Sequence, residues 1–109
     1  MNHASHIIGN AASVATRLTS ENGSIRPEKL MDILCFNNTG GTLYMQYHDN
    51  KSSLAGGEVP LISFAVQGGL GGTLGRGLDV MGGICAWSTT QATYTAAGAS
   101  GAINPVIKG

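Results

Sequence analysis

Several residue groupings in this 109-residue chain have types and spacings that could do chemistry. The run GGLGGTLGRG over residues 68–77 is rich enough in glycine to cradle a phosphate. His3 and His6 stand three apart, where two imidazoles on a helix could clasp a metal. His48-Asp49 could be an oriented acid–base pair, and Cys35 and Cys85 are possible nucleophiles.

Each grouping falls short of the chemistry. The glycine run lacks G-x-x-x-x-G-K-[ST], its nearest basic residue being Arg76. It also lacks G-x-G-x-x-G, because Leu74 occupies the position required after Gly69 and Gly71. It reads instead as a loop where backbones approach closely. Two histidines without a third ligand make a weak metal site, so His3 and His6 read as part of a polar terminus. His48-Asp49 reads as a strand end, with Asp49 opening a turn. Cys35 lies in an apolar run, where burial raises a thiol pKa and removes its nucleophilicity. No nucleophile elbow or Ser/His/Asp order is present. Glu21, Glu28 and Asp32 cluster near residues 26–29 and read as solvated charges, not a paired acid and base. Trp87, with Tyr44, Tyr47 and Tyr94, could face a sugar. On a strand between Ala86 and Ser88 it reads better as a core or interface anchor. No catalytic, cofactor-binding or metal-binding residue is assigned, and the chain reads as a non-enzyme.

The charge distribution says more. Residues 59–107 contain only two formal charges, Arg76 and Asp79. An average soluble chain would place roughly a dozen in such a stretch. Charged side chains keep a surface wet and apart from its neighbours. A half-protein without them reads as packed against copies of itself or a large partner. Six basic and six acidic residues balance to zero. No basic stripe is available to release counterions from phosphate, so nucleic acid is not expected as a partner. The uncharged half is too interrupted by Gly, Ser, Thr and Gln for a membrane span, and no basic amphipathic helix marks a membrane surface. The first twenty residues lack the charged and apolar regions of a secretion signal, so manufacture in a cytoplasm is expected. Two cysteines make no disulfide framework. In a reducing compartment they read as buried thiols, a Cys35–Cys85 bridge across a sandwich being the alternative.

The elements expected are short strands. Seventeen glycines and no sustained 3.6-residue apolar period argue against helix. Residues 31–37 (MDILCFN) read as a central strand apolar on both faces. Residues 37–41 read as a turn, because Asn and Gly tolerate positive φ, so 31–37 and 42–48 (TLYMQYH) should form a hairpin. Residues 58–66 read as a third strand with Ile62, Phe64 and Val66 on one face. Residues 68–77 read as an irregular excursion with Leu70, Leu74 and Leu78 as apolar pegs. Residues 82–89 read as a strand with Ile84 and Ala86 opposite Cys85 and Trp87. Residues 91–97 alternate again, and 102–107 close the sheet, Pro105 marking an edge. The fold class expected is all-β, a small antiparallel β-sandwich or barrel spanning residues 29–109. Residues 1–28 read as an extended N-terminal arm, with a weak alternation through Ala12, Val14, Thr16 and Leu18. Deleting residues 1–25 should then leave the body folded.

The segments NNTGGTLYMQYHD, VPLISFAV and GGICAWSTTQATYTAAGA together resemble a widespread family of small tailed-bacteriophage proteins, over roughly residues 33–102. In that family a strand ending in a y-v-q-l-h-D-like run precedes a v-P-v/l-x-s-f-p-v strand. A Gly-rich stretch and a G-i-x-v-a-x-S-s-T-x-A-T-y-T strand pair follow. The matching residues here are 43–49, 59–66 and 83–98; GGLGGTLGRG departs from the family's more ordinary strand. The resemblance implies a virion component, either a capsid decoration (cement) protein or a head–tail or tail part.

The function expected is therefore a phage structural protein that binds over junctions of the major capsid protein. It would act as a homo-oligomer, possibly a trimer in the virion, with Val14, Leu18, Leu70, Leu74, Trp87 and Tyr94 at the interfaces. A tail, adaptor or fibre-associated protein is the alternative in the same class, and a carbohydrate-binding adhesion module the alternative outside it.

Overall fold

Residues 83–88 show how this sequence makes its core. Alternate side chains of a strand point to opposite faces, and here both faces find cover. Cys85 and Trp87 enter one apolar cluster, and Ile84 and Ala86 enter another. The computed structural model describes residues 6–7, 14–18 and 29–108. It contains β1 (His6–Ile7), β2 (Ala15–Arg17), β3 (Lys29–Phe36), β4 (Leu43–Asp49), β5 (Ile62–Val66), β6 (Gly71–Thr73), β7 (Leu78–Asp79), β8 (Gly83–Ser88) and β9 (Ile103–Lys108). Among the described residues there is no helix.

All pairings are antiparallel, and they form two sheets. Sheet I has the order β1-β9-β3-β6, with β7 also on β3; sheet II has the order β2-β8-β4-β5. The protein is an all-β sandwich. The core between the sheets takes Leu30, Ile33, Cys35, Ile103 and Ile107 from sheet I and Met45, Tyr47, Val66, Cys85 and Trp87 from sheet II. Ile62, Phe64 and Val66 all pack on it, as their alternation predicts. A register shift between Leu30 and Asp32 lets both Leu30 and Ile33 point inward.

Several expectations are corrected. The β3–β4 hairpin does not form, because the two strands belong to different sheets. Asn37, fully buried, turns the chain across the sandwich. Its Nδ2 donates to the carbonyls of Gly41 and Val66, both at 2.8 Å. Its Oδ1 accepts from the Thr39 amide at 2.9 Å and the Thr39 hydroxyl at 2.6 Å. This side-chain-bonded corner uses no positive φ at residues 37–41.

β3 is central but not buried on both faces: Leu34 and Phe36 are exposed. The glycine run is not wholly irregular, since β6 and β7 both pair with β3. Gly72 is required there, because a Cβ would stand 2.7 Å from a Val66 methyl on the opposite sheet. Residues 91–97 form no strand beyond one bridge, Ser88 to Ala96. Pro105 lies within β9, between β3 and β1, although the described β1 pairing reaches only Val106.

The described parts of residues 1–28 pair within this chain, β1 with β9 and β2 with β8. Leu18 is fully buried in the core. Deleting residues 1–25 would therefore remove a core leucine. Burial loss of that kind costs about 2–5 kcal/mol. His3 and residues 26–28 lie outside the described residues.

Candidate functional site

Each sheet spends one face on the core, so function must be sought on the other two. The outer face of sheet II is roofed by its own chain. β4 turns Gln46 and His48 outward, yet both are buried. Residues 50–58 and 89–95 lie over them. The Gly57 amide donates to the Tyr94 carbonyl and the Tyr94 amide to the Glu58 carbonyl, each at 2.8 Å. Gln46 Nε2 meets the carbonyls of Thr90, Gln91 and Thr93 at 2.9–3.1 Å. The Ser88 hydroxyl adds donations to Thr90 and Thr93 carbonyls and accepts from the Thr90 and Thr95 amides. The apolar part of the roof is Tyr94 and Leu54 over Ile84 and Ala86.

The groups considered for catalysis are sealed or already engaged. His48 is 1% exposed and bonds Gln46, not Asp49. Asp49 accepts instead from the Tyr47 hydroxyl and the Met81 amide. Burial pushes the Tyr47 hydroxyl up, with the Asp49 contact adding to it. Burial also pushes the Cys35 thiol up to about 12, and its Sγ donates a weak bond to the Gly72 carbonyl. Cys85 is raised by burial as well, and both cysteines are free thiols. Neither is a thiolate at neutral pH. Desolvation would raise Asp32, but bonds from the Gly75 amide, the Thr73 hydroxyl, and the Ile33 and Leu74 amides outweigh it and lower its pKa. Asp32 is thus a partly exposed charge that also acts as a clasp shaping the glycine run. Among the described residues no three His, Cys, Asp or Glu side chains are grouped to hold a metal.

The outer face of sheet I carries no such roof among the described residues. Leu34 and Phe36 of β3 are 40% and 43% exposed. Cross-strand register places Asn104 and Thr73 beside Leu34. Gly71 lies beside Phe36, whose ring is 4.0 Å from where a Gly71 Cβ would be. Val106 pairs with Asp32 at the next rung, and Asp32 is turned to Thr73 and Gly75. Leu70, 52% exposed, precedes Gly71 at the Phe36 end. The Leu34–Phe36 end of this face is apolar and free of charged side chains, whereas Asp32 and the paired Lys29, Asp79 and Lys108 lie toward the other end. Such a pattern marks a contact surface when the apolar groups are contiguous.

Of the six residues expected at interfaces, only Val14 and Leu70 are exposed. Leu18 and Trp87 are fully buried in the core. Trp87 Nε1 donates to the Gly101 carbonyl at 2.9 Å, which satisfies its polar handle. Tyr94 belongs to the roof and Leu74 is partly buried against the core. Of the two roles read for Trp87, core or interface anchor, the structure shows the core one, as a domain this small needs its large aromatics inside. Leu34 and Phe36 were missed because a run apolar at every position reads equally well as doubly buried. Val59, Leu61 and Met81 are also exposed, at the other end of sheet II around Asp49.

No protein-family model, curated protein or solved structure matches this chain.

Proposed function

We propose that this protein is a structural component of a tailed-phage virion, a decoration or cement protein that docks on the major capsid protein through the outer face of sheet I. One observation carries the reading: Leu34 and Phe36 stand open on the outer face of sheet I, between β6 and β9, while the opposite outer face is covered by the chain itself. An apolar pair costs solubility when left in water and contributes to binding when buried. Repetition over a symmetric shell multiplies modest single contacts into stable occupancy. The resemblance of residues 33–102 to small phage proteins supports the same class. A homo-oligomer such as a trimer suits both the charge-poor half and shell symmetry.

The carbohydrate-binding alternative loses most of its motive, since Trp87, Tyr47 and Tyr94 are buried and Tyr44 alone, partly buried, makes no aromatic platform. The tail or adaptor alternative is separated by copy number. Purified protein added to undecorated phage heads should bind in hundreds of copies per particle. Saturation at six or twelve copies would favour a neck or tail ring, and no binding to any virion part would overturn the proposal.

A further inference from the structure

Beneath the roof, on β4 of sheet II, lies a buried titratable group, His48. We propose that His48 is an acid-sensitive latch, which holds the roof closed while neutral and releases it on protonation. The inference does not depend on the docking proposal.

The hydrogen-bond directions set the chemistry. Gln46 presents its Nε2 to three carbonyls, so its Oε1 must be the atom facing His48. That oxygen only accepts, so His48 Nε2 carries the proton in the 2.8 Å contact. In neutral imidazole the other nitrogen is then the bare one. Nδ1 is buried and has no hydrogen-bond partner. Protonation would put an N–H and a full charge at that atom, where no acceptor is in reach. A buried unpaired charge is among the costliest groups a fold can hold. The less costly outcome is opening of the segments above it.

The surroundings, among the described residues, sharpen this. Tyr94 of the roof meets the imidazole edge-on, with centroids 5.6 Å apart. Glu58 favours the imidazolium and Lys51 opposes it, but the two are paired to each other at 2.6 Å. β8 pairs Ile84 with His48 and offers no charge. On β4 itself, Asp49 is turned to Tyr47 and Met81. Desolvation accordingly dominates and lowers the His48 pKa below its ordinary 6.5. The opened state binds the proton first, so roof stability is complete above about pH 6.5 and falls as pH drops below it. Opening would lift Tyr94 away and uncover Ile84 and Ala86, which now pack against it in a small apolar cluster.

The test is an NMR titration of the full chain from pH 8 to 4.5, read with amide protection factors corrected for intrinsic exchange. His48 should hold the Nε2–H tautomer and titrate below 6.5. Protection at Gly57 and Tyr94 should fall by up to tenfold per pH unit, the limit for one proton. Protection at Met45 and Cys85 should hold over the same range. His48→Leu should abolish the dependence, and the double variant His3→Gln/His6→Gln should keep it. Titration at or above 6.5, unchanged Gly57 and Tyr94 protection, or the same loss in His48→Leu would overturn the latch. If His48→Leu fails to fold, the wild-type tautomer and protection readings decide alone.

Discussion

The two outer faces of this sandwich are built oppositely. Sheet II places polar Gln46, His48 and Ser88 outward and covers them with loops whose carbonyls those side chains satisfy. Sheet I places apolar Leu34 and Phe36 outward and leaves them uncovered among the described residues. A polar outer face would be expected in water and an apolar one under cover. The inversion has a physical sense. Buried polar groups with fixed partners specify one arrangement of a roof, because every misplacement leaves an unsatisfied group. An open apolar face instead leaves binding free energy for a second molecule.

The sharpest way to break this comparison is to put the same charge on both faces. Ile84→Glu buries a carboxylate beneath the roof and should cost more than about 4 kcal/mol. That is a large share of the roughly 5–15 kcal/mol that holds a domain together. Leu34→Glu should change urea stability by no more than about 0.5 kcal/mol, and should remove particle binding. Equal stability losses in the two variants would mean that the faces do not differ as described.

Next in size is the corner that keeps the sheets apart. Asn37→Ala strips donors from the Gly41 and Val66 carbonyls and an acceptor from Thr39. Each buried group left unpaired costs about 1–3 kcal/mol, so a loss of about 2 kcal/mol or more is expected in chemical denaturation. A neutral outcome would remove Asn37 from its assigned role.

The smallest expected effect lies at the clasp beside the open face. The lowered Asp32 pKa means that its stabilisation is present above the ordinary carboxylate value of 3.8 and is lost as pH falls through the folded value. Protection of the Gly75 amide should drop over that acid range in the wild type. Asp32→Asn should show no such step, and a persistent step would assign it to another group.

The sequence reading succeeded where alternation alone decides the structure. Ile84 and Ala86 oppose Cys85 and Trp87, and Ile62, Phe64 and Val66 share the core face, because side-chain period fixes both. It failed where distant segments decide. β3 pairs with β9, some seventy residues downstream, and with β6 and β7 from the glycine run. Local pattern carries no such partner choice, so a neighbouring hairpin looked natural. The turn at residues 37–41 was visible, but the burial of Asn37 was not. Gly72 reads as a strand breaker until Val66 stands opposite it. The roof was hidden for a similar reason: residues 91–97 alternate like a strand, yet their carbonyls are taken by Gln46 and Ser88. Low charge density announced a contact surface without saying which one. Of the candidate residues, only Leu70 lies at an end of the open face of sheet I.

The most direct measurement is an image of the intact particle at a resolution that orients this domain. The account predicts Leu34, Phe36 and the surrounding β9 and β6 residues against a neighbouring capsid subunit, with the roof of sheet II outward. A domain seated by its roof, with Leu34 and Phe36 facing solvent, would contradict it.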